Sequence, residues 1–229
     1  MKKVLRLALR GILILVVALC SAYLLTNWIR QSSWYKERLY HLLVAGDKQQ
    51  KLRAACVLAE VGAEDQLLRA LKHENITTHE MARRAVEQVW FNACGREAYD
   101  WMQSAYRIEE HGDYPQALQI LDQLITKYPA YAEGFNRRAS VLWQLGEFKK
   151  SMTDCDRALR LNPNHYGALQ GKGVCLLKLG DLQEACQALR SALKISPHDS
   201  MTQSSLKKCE ELLRSCAPLE NGDRRSDVL

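Results

Sequence analysis

The sequence predicts an all-α protein, a solenoid of helical hairpins behind a single N-terminal transmembrane helix. Two observations carry this. Gly112, Gly146 and Gly180 lie 34 residues apart inside matching pentapeptides, E-H-G-D-Y, Q-L-G-E-F and K-L-G-D-L, each followed by a small residue (Ala117, Ser151, Ala185) and closed by a proline (Pro129, Pro163, Pro197). A fixed period of this length marks a repeat array of helical hairpins. Between Arg10 and Arg30 run 19 uncharged residues, GILILVVALCSAYLLTNWI, and about 20 apolar residues suffice for a helix to cross a bilayer.

Residues 1–10 form a basic N-terminus and 11–29 the anchor. Lys2, Lys3, Arg6, Arg10 and Arg30 flank the apolar run and account for most of the net charge of +6; beyond them 27 basic residues face 26 acidic ones. The remainder is almost neutral and shows no basic helix with interleaved aromatics, so no nucleic-acid partner is expected. Cations before the span, with Tyr23 and Trp28 toward its far end, place the N-terminus in the cytoplasm. The rest of the chain then lies on the opposite, periplasmic or lumenal, side of a single-pass membrane protein. Three other readings stay open: a signal peptide cut near Cys20-Ser21-Ala22, a lipoprotein cut before Cys20, and an organelle transit segment. The apolar run through Leu24-Leu25 favours a retained anchor. Seven cysteines beyond Cys20 are unusual for an oxidising compartment, which leaves sidedness open. None forms C-x-x-C, and they read as buried small hydrophobes, Cys56 and Cys155 among them.

Residues 33–46 read as a linker helix. In 47–95, L-R-A-A at 52–55 recurs as A-R-R-A at 82–85. Asp47 with Gln50 and Thr77 with Glu80 make capping boxes, and Gly95 closes a helix running to about Cys94. The units 98–131, 132–165 and 166–199 follow. In each, a first helix ends at the glycine and a second begins at Tyr114, Phe148 or Leu182. Small residues recur where the two helices cross: Ala105, Ala139 and Gly173 in the first, Ala117, Ser151 and Ala185 in the second. Residues 200–215 read as an amphipathic capping helix with Leu206, Cys209, Leu212 and Leu213 on one side. The polar, turn-rich stretch 216–229 reads as a disordered tail.

This set of an aromatic, two small residues, a glycine turn and a closing proline, repeated three times over 98–199, resembles the tetratricopeptide repeat family. Residues 47–95 resemble HEAT-type repeats, which would stack onto the first unit as one continuous solenoid. The family resemblance implies a concave wall built from the first helices, lined here by Tyr99, Met102, Tyr106, Asn136, Arg137, Ser140, Trp143, Gln170, Val174 and Leu177. Aromatic residues on such a wall are the type that dominates interface hot spots. Family members that bind chaperone tails use a clamp of lysines and asparagines. The matching places hold Met102, Tyr106, Arg137, Gly167 and Gly171, with one cation among them, so that activity is not carried over. Gly167, Gly171 and Gly173, all in one helix, suggest close backbone approach: helix packing at Gly173, and either packing or a groove narrowed for an extended peptide at the other two.

Catalytic and metal sites are not expected. H-E-M-A-R at 79–83 puts Arg83 where a zinc helix needs its second imidazole. No G-x-S-x-G, Walker loop or dinucleotide fingerprint occurs, so no cofactor and no small-molecule substrate is implied. The expected function is a non-catalytic, membrane-tethered protein–protein interaction scaffold, an adaptor or assembly factor that binds a peptide or partner helix in the groove. Alternatives are an accessory or regulatory subunit of a membrane enzyme complex and, less favoured, a hydrolase with an unrecognised site.

Overall fold

The computed structural model describes residues 2–216, with side chains from Gly11 to Ser215. All but Cys216 of the tail expected at 216–229 lies outside the described residues. Twelve helices and no strand occur among the described residues, so the chain is all-α. They are α1 (Lys2–Gln31), α2 (Ser33–Ala45), α3 (Lys48–Glu60), α4 (Glu64–Leu71), α5 (Ile76–Phe91), α6 (Gly95–Glu110), α7 (Tyr114–Lys127), α8 (Ala132–Gln144), α9 (Phe148–Leu161), α10 (Tyr166–Leu179), α11 (Leu182–Ile195) and α12 (Ser200–Cys216). The chain divides within α5 into two compact units, Met1–Val86 and Glu87–Leu229.

In the first unit, the stretch Gly11–Gln31 of α1 is long and apolar enough to cross a membrane by length and composition, and none of it is buried in the protein. Ser32 ends α1 and caps α2, its Oγ accepting from the Tyr35 amide at 3.3 Å. Rather than a bare linker, α2 buries Leu39 and Leu43 and packs on α3 and α4. Asp47 and Gln50 form the expected reciprocal capping box. Thr77 does not cap α5; the helix begins a residue earlier, and Asn75 Oδ1 accepts from the Thr78 amide at 3.0 Å. Asparagine serves this position as well as threonine does. Gly95 also departs from expectation: α5 stops at Phe91, and Gly95, at φ +82°, opens α6.

Two buried polar groups tie this unit together. Lys51 donates from Nζ to the Val44 carbonyl at 2.7 Å and to Thr78 Oγ1 at 2.6 Å, occupying the carbonyl end of α2, where a cation complements the helix dipole. His79 Nδ1 donates to the Leu71 carbonyl at 2.7 Å, fastening α5 to the end of α4. The near-zinc motif is thus a structural anchor.

In the second unit, three antiparallel hairpins, α6–α7, α8–α9 and α10–α11, stand in series and α12 covers the last. The turn glycines Gly112, Gly146 and Gly180 take φ of +79°, +79° and +91°, a region that residues with a Cβ enter at a cost. Ala105 meets Ala117 in the core of the first hairpin. In the second, Ser151 Oγ donates to the Ala139 carbonyl at 2.7 Å. In the third, a Cβ on Gly173 would come within 2.6 Å of Leu189 Cγ.

Ionic and aromatic links join successive hairpins. Arg138 of α8 forks both Asp154 oxygens at 2.6 Å and reaches Asp122 of α7 at 2.7 Å. Tyr131, fully buried before α8, donates its hydroxyl to the Phe91 carbonyl at 2.6 Å. On α12 the inward stripe includes Thr202, Leu206 and Cys209, and Leu212, expected inside, is exposed. Cys186 and Cys209 bring their buried thiols to 2.7 Å of each other between α11 and α12, and burial pushes the Cys209 thiol up to about 12. Cys56, expected to be packed, is exposed.

Two predictions follow from these links. Arg138→Ala leaves the Asp154 carboxylate buried without its partner, and breaking a buried pair this way costs about 3–5 kcal/mol; urea unfolding followed by circular dichroism should show that loss, and an unchanged midpoint would contradict it. The Arg83 guanidinium, with help from Arg84, holds the Glu80 carboxyl at about 2. A lowered carboxyl contributes stability above its ordinary range that disappears as pH falls toward the folded value. Melting temperature should therefore drop between roughly pH 4.5 and 2, less steeply in Glu80→Gln.

Candidate partner-binding groove

The first helices of the hairpins carry the ten residues expected on the concave wall, and the structure sorts them into two groups. Asn136, Ser140 and Trp143 of α8 come together with Gln170 and Val174 of α10 around a cleft of ≈ 390 Å³. Gly167 and Gly171 line the same cleft, with Ser151 and Cys155 of α9 beneath and Met201 and Ser205 of α12 at its side. The sequence reading missed these last four. Met201 and Ser205 had a signal, since they sit one helical turn apart at the edge of the buried stripe of α12.

The other five do not reach the cleft. Met102 is a correction: with Ala98 and Ala105 it forms a fully buried stripe of α6, one helical turn apart along the inner face. Leu177 packs against the core between α11 and α12. Tyr99 and Tyr106 gather on Phe91, at ring separations of 5.2 and 5.7 Å. Arg137 lies 3.5 Å above the Tyr106 ring and clamps a carboxylate of its own chain, Glu109, through Nε at 2.8 Å and through Nη2. Burial pushes the Tyr106 hydroxyl up to about 12 and raises Glu109 despite the neighbouring guanidinium. The one basic clamp position is occupied from within.

Around the cleft, the wall is held by pairs it does not display. His165, buried at the start of α10, accepts the Ala168 amide at Nδ1 (3.2 Å), so its Nε2 carries the proton and donates to Glu133 at 2.8 Å. Trp90 stacks on that imidazole at 4.5 Å. Lys172 is paired with Asp156 at 2.7 Å. Trp143 meets Phe148 edge to face at 6.2 Å, and its indole N–H is buried without an acceptor among the described residues. The Cys155 thiol, sealed under Gly171, is pushed up by burial. Among the described residues no group of His, Cys, Asp and Glu is placed to hold a metal ion.

Hairpins in series, glycine-turned and carrying an open cleft on their inner helices, define a helical-repeat protein. Residues 98–131, 132–165 and 154–200 match models of the tetratricopeptide repeat, so this stretch of the chain carries that repeat. A TPR repeat-containing protein of Rhizobium etli is 37% identical over 112 residues, 49% of this chain and 55% of its own length. The chain thus spans about half of that relative. In fold, the second unit is similar to the Sgt2 TPR domain of Aspergillus fumigatus, at TM-score 0.51 and 15% identity, covering 58% of this chain and 92% of that one. It is also similar to the first TPR of Spaghetti (RPAP3), solved with the HSP90 peptide SRMEEVD, at TM-score 0.50 and 22% identity, covering 51% and 93%.

Gly167 and Gly173 of α10 separate by experiment. A Cβ at Gly167 meets only ordinary contacts, at 3.5 Å from His165, whereas at Gly173 it collides with Leu189. Gly173→Ala should lower the melting temperature by several degrees, as overpacking costs typically 1–3 kcal/mol. Gly167→Ala should leave it unchanged or slightly raised; equal losses in a thermal melt would refute the distinction.

Proposed function

We propose that this chain is a non-catalytic, membrane-tethered interaction scaffold, an adaptor or assembly factor that holds a peptide or partner helix against α8 and α10. The observation that carries the reading is the cleft itself, in which Asn136, Ser140, Trp143, Gln170 and Val174 converge from two hairpins. A tryptophan and a solvent-facing methionine beside uncharged polar groups suit a recognition surface. The matched family models describe a repeat module rather than a catalytic domain. Tyr99, Tyr106 and Arg137 belong in this reading to the support of the wall, and Met102 and Leu177 to its core.

The tether is the Gly11–Gln31 stretch of α1, crossing the bilayer with the N-terminus cytoplasmic and the repeats on the far side. The HEAT-like helices of 47–95 stand between anchor and repeats, and 200–215 caps the array.

Two measurements test this. The full chain should stay in the membrane pellet after alkaline carbonate extraction, and a chain lacking residues 2–31 should be released; release of both would refute the tether. Cys56, which is exposed where Cys209 is buried, should react with an impermeant maleimide added outside intact cells or sealed microsomal lumen; labelling only from the cytoplasmic side would reverse the topology. For the groove, a photo-reactive amino acid at Gln170 should cross-link to a second polypeptide in native membranes, and the adduct should vanish in Trp143→Ala. Absence of any adduct would count against the groove.

A further inference from the structure

We infer that the cleft takes an uncharged, extended peptide segment, anchored by one apolar side chain beside Trp143, Val174 and Met201, and that it refuses acidic tails. This rests on the groove reading above and goes beyond it by fixing the ligand's chemistry.

None of the thirteen residues that line the cleft is charged. Three cations of α8 and α10 are engaged from within the chain. Arg137 is forked by Glu109, Arg138 by Asp154 with Asp122, and Lys172 by Asp156. An acidic segment seated here would give up the hydration of its carboxylates and meet no cation among the lining residues in return, and unpaired burial of charge is heavily penalised. Freeing Arg137 for a ligand would instead strand Glu109, whose side chain is only 11% exposed.

What the cleft does offer is amide chemistry. Asn136, Gln144 and Gln170 each carry a carbonyl acceptor and two N–H donors, the same complement that a peptide backbone needs in order to shed water. Gly167 is the second indication. Packing does not require glycine there, since a Cβ would meet nothing closer than 3.5 Å, so its bareness serves the open side of the helix. A floor without side chains lets another backbone approach closely. Met201 stands 70% exposed at the rim, and methionine adapts its shape to varied apolar partners.

The test is selection of a random phage-displayed heptapeptide library on the full chain in detergent, with the acidic peptide SRMEEVD as the charged probe in fluorescence anisotropy. Enriched sequences should be uncharged with one large apolar residue, and their affinity should change little between low and high salt. Ser140→Lys, at an exposed cleft position, should weaken them about tenfold or more, equivalent to ~1.4 kcal/mol, and should admit SRMEEVD. Enrichment of Asp- and Glu-rich peptides, or tight SRMEEVD binding by the unaltered chain, would overturn the inference while leaving the groove standing. Uncharged binders indifferent to Ser140→Lys would overturn it too, since they would sit elsewhere. If no sequence is enriched, the groove reading itself fails and this inference falls with it.

Discussion

The close crossing of two helices within each hairpin is the constraint on which the second unit depends. Ala105 and Ala117 are fully buried in the first hairpin, Ser151 bonds the Ala139 carbonyl in the second, and in the third a Cβ on Gly173 would lie 2.6 Å from Leu189 and 3.4 Å from the Ala185 carbonyl. The turn that brings the chain back on itself relies on a left-handed glycine at the same offset each time. With crossing and turn repeated, the first helices of the second and third hairpins, α8 and α10, pack beside each other. The inner wall is a consequence of that repetition: α8 and α10 are neighbours on it because α9 and α11 are held behind them. Helical repeats gain stability from such nearest-neighbour contacts, and a terminal repeat needs covering. Here α12 covers the last hairpin and, through Met201 and Ser205, also completes the cleft.

Charge is spent on holding the array together. Arg138 ties three helices, Arg137 bridges α8 to Glu109 of α6 while covering Tyr106, and the Glu133–His165 pair sits beneath Trp90. Each pair withdraws polar groups from the surface that a partner would meet. The result is a wall whose supports are ionic and whose cleft is lined by uncharged residues.

The parts of this architecture that obey a local period were legible in the sequence. The glycine turns, small crossing residues and closing prolines recur at a 34-residue offset, and the apolar N-terminal stretch is continuous. Met102 was legible too and was misread: it stands four residues after Ala98 and three before Ala105, the spacing of a buried stripe. The pairing of Arg137 with Glu109 was not, because it joins residues 28 apart in different hairpins, and no periodicity announces which of several carboxylates a guanidinium will choose. The same holds for Tyr131, whose hydroxyl reaches back 40 residues to Phe91. Five of the ten expected wall residues line the cleft; Met102 and Leu177 pack into cores, Tyr99 and Tyr106 gather on Phe91, and Arg137 pairs with Glu109 of the preceding hairpin. The start of α5 was displaced for a smaller reason: Asn75 competes with Thr77 for one cap, and composition alone does not rank them.

The central claim is that the inner wall of α8 and α10 is left open by this chain and that, as proposed, another polypeptide covers it. Hydroxyl-radical footprinting read by mass spectrometry addresses it directly, with exposed Met201 as the reporter and fully buried Met102 as the internal reference. In purified chain Met201 should oxidise fast and Met102 slowly; in native membranes Met201 should become protected while the exposed Cys56 stays reactive. Equal oxidation of Met201 in both preparations, or protection already present in the purified chain, would contradict the account.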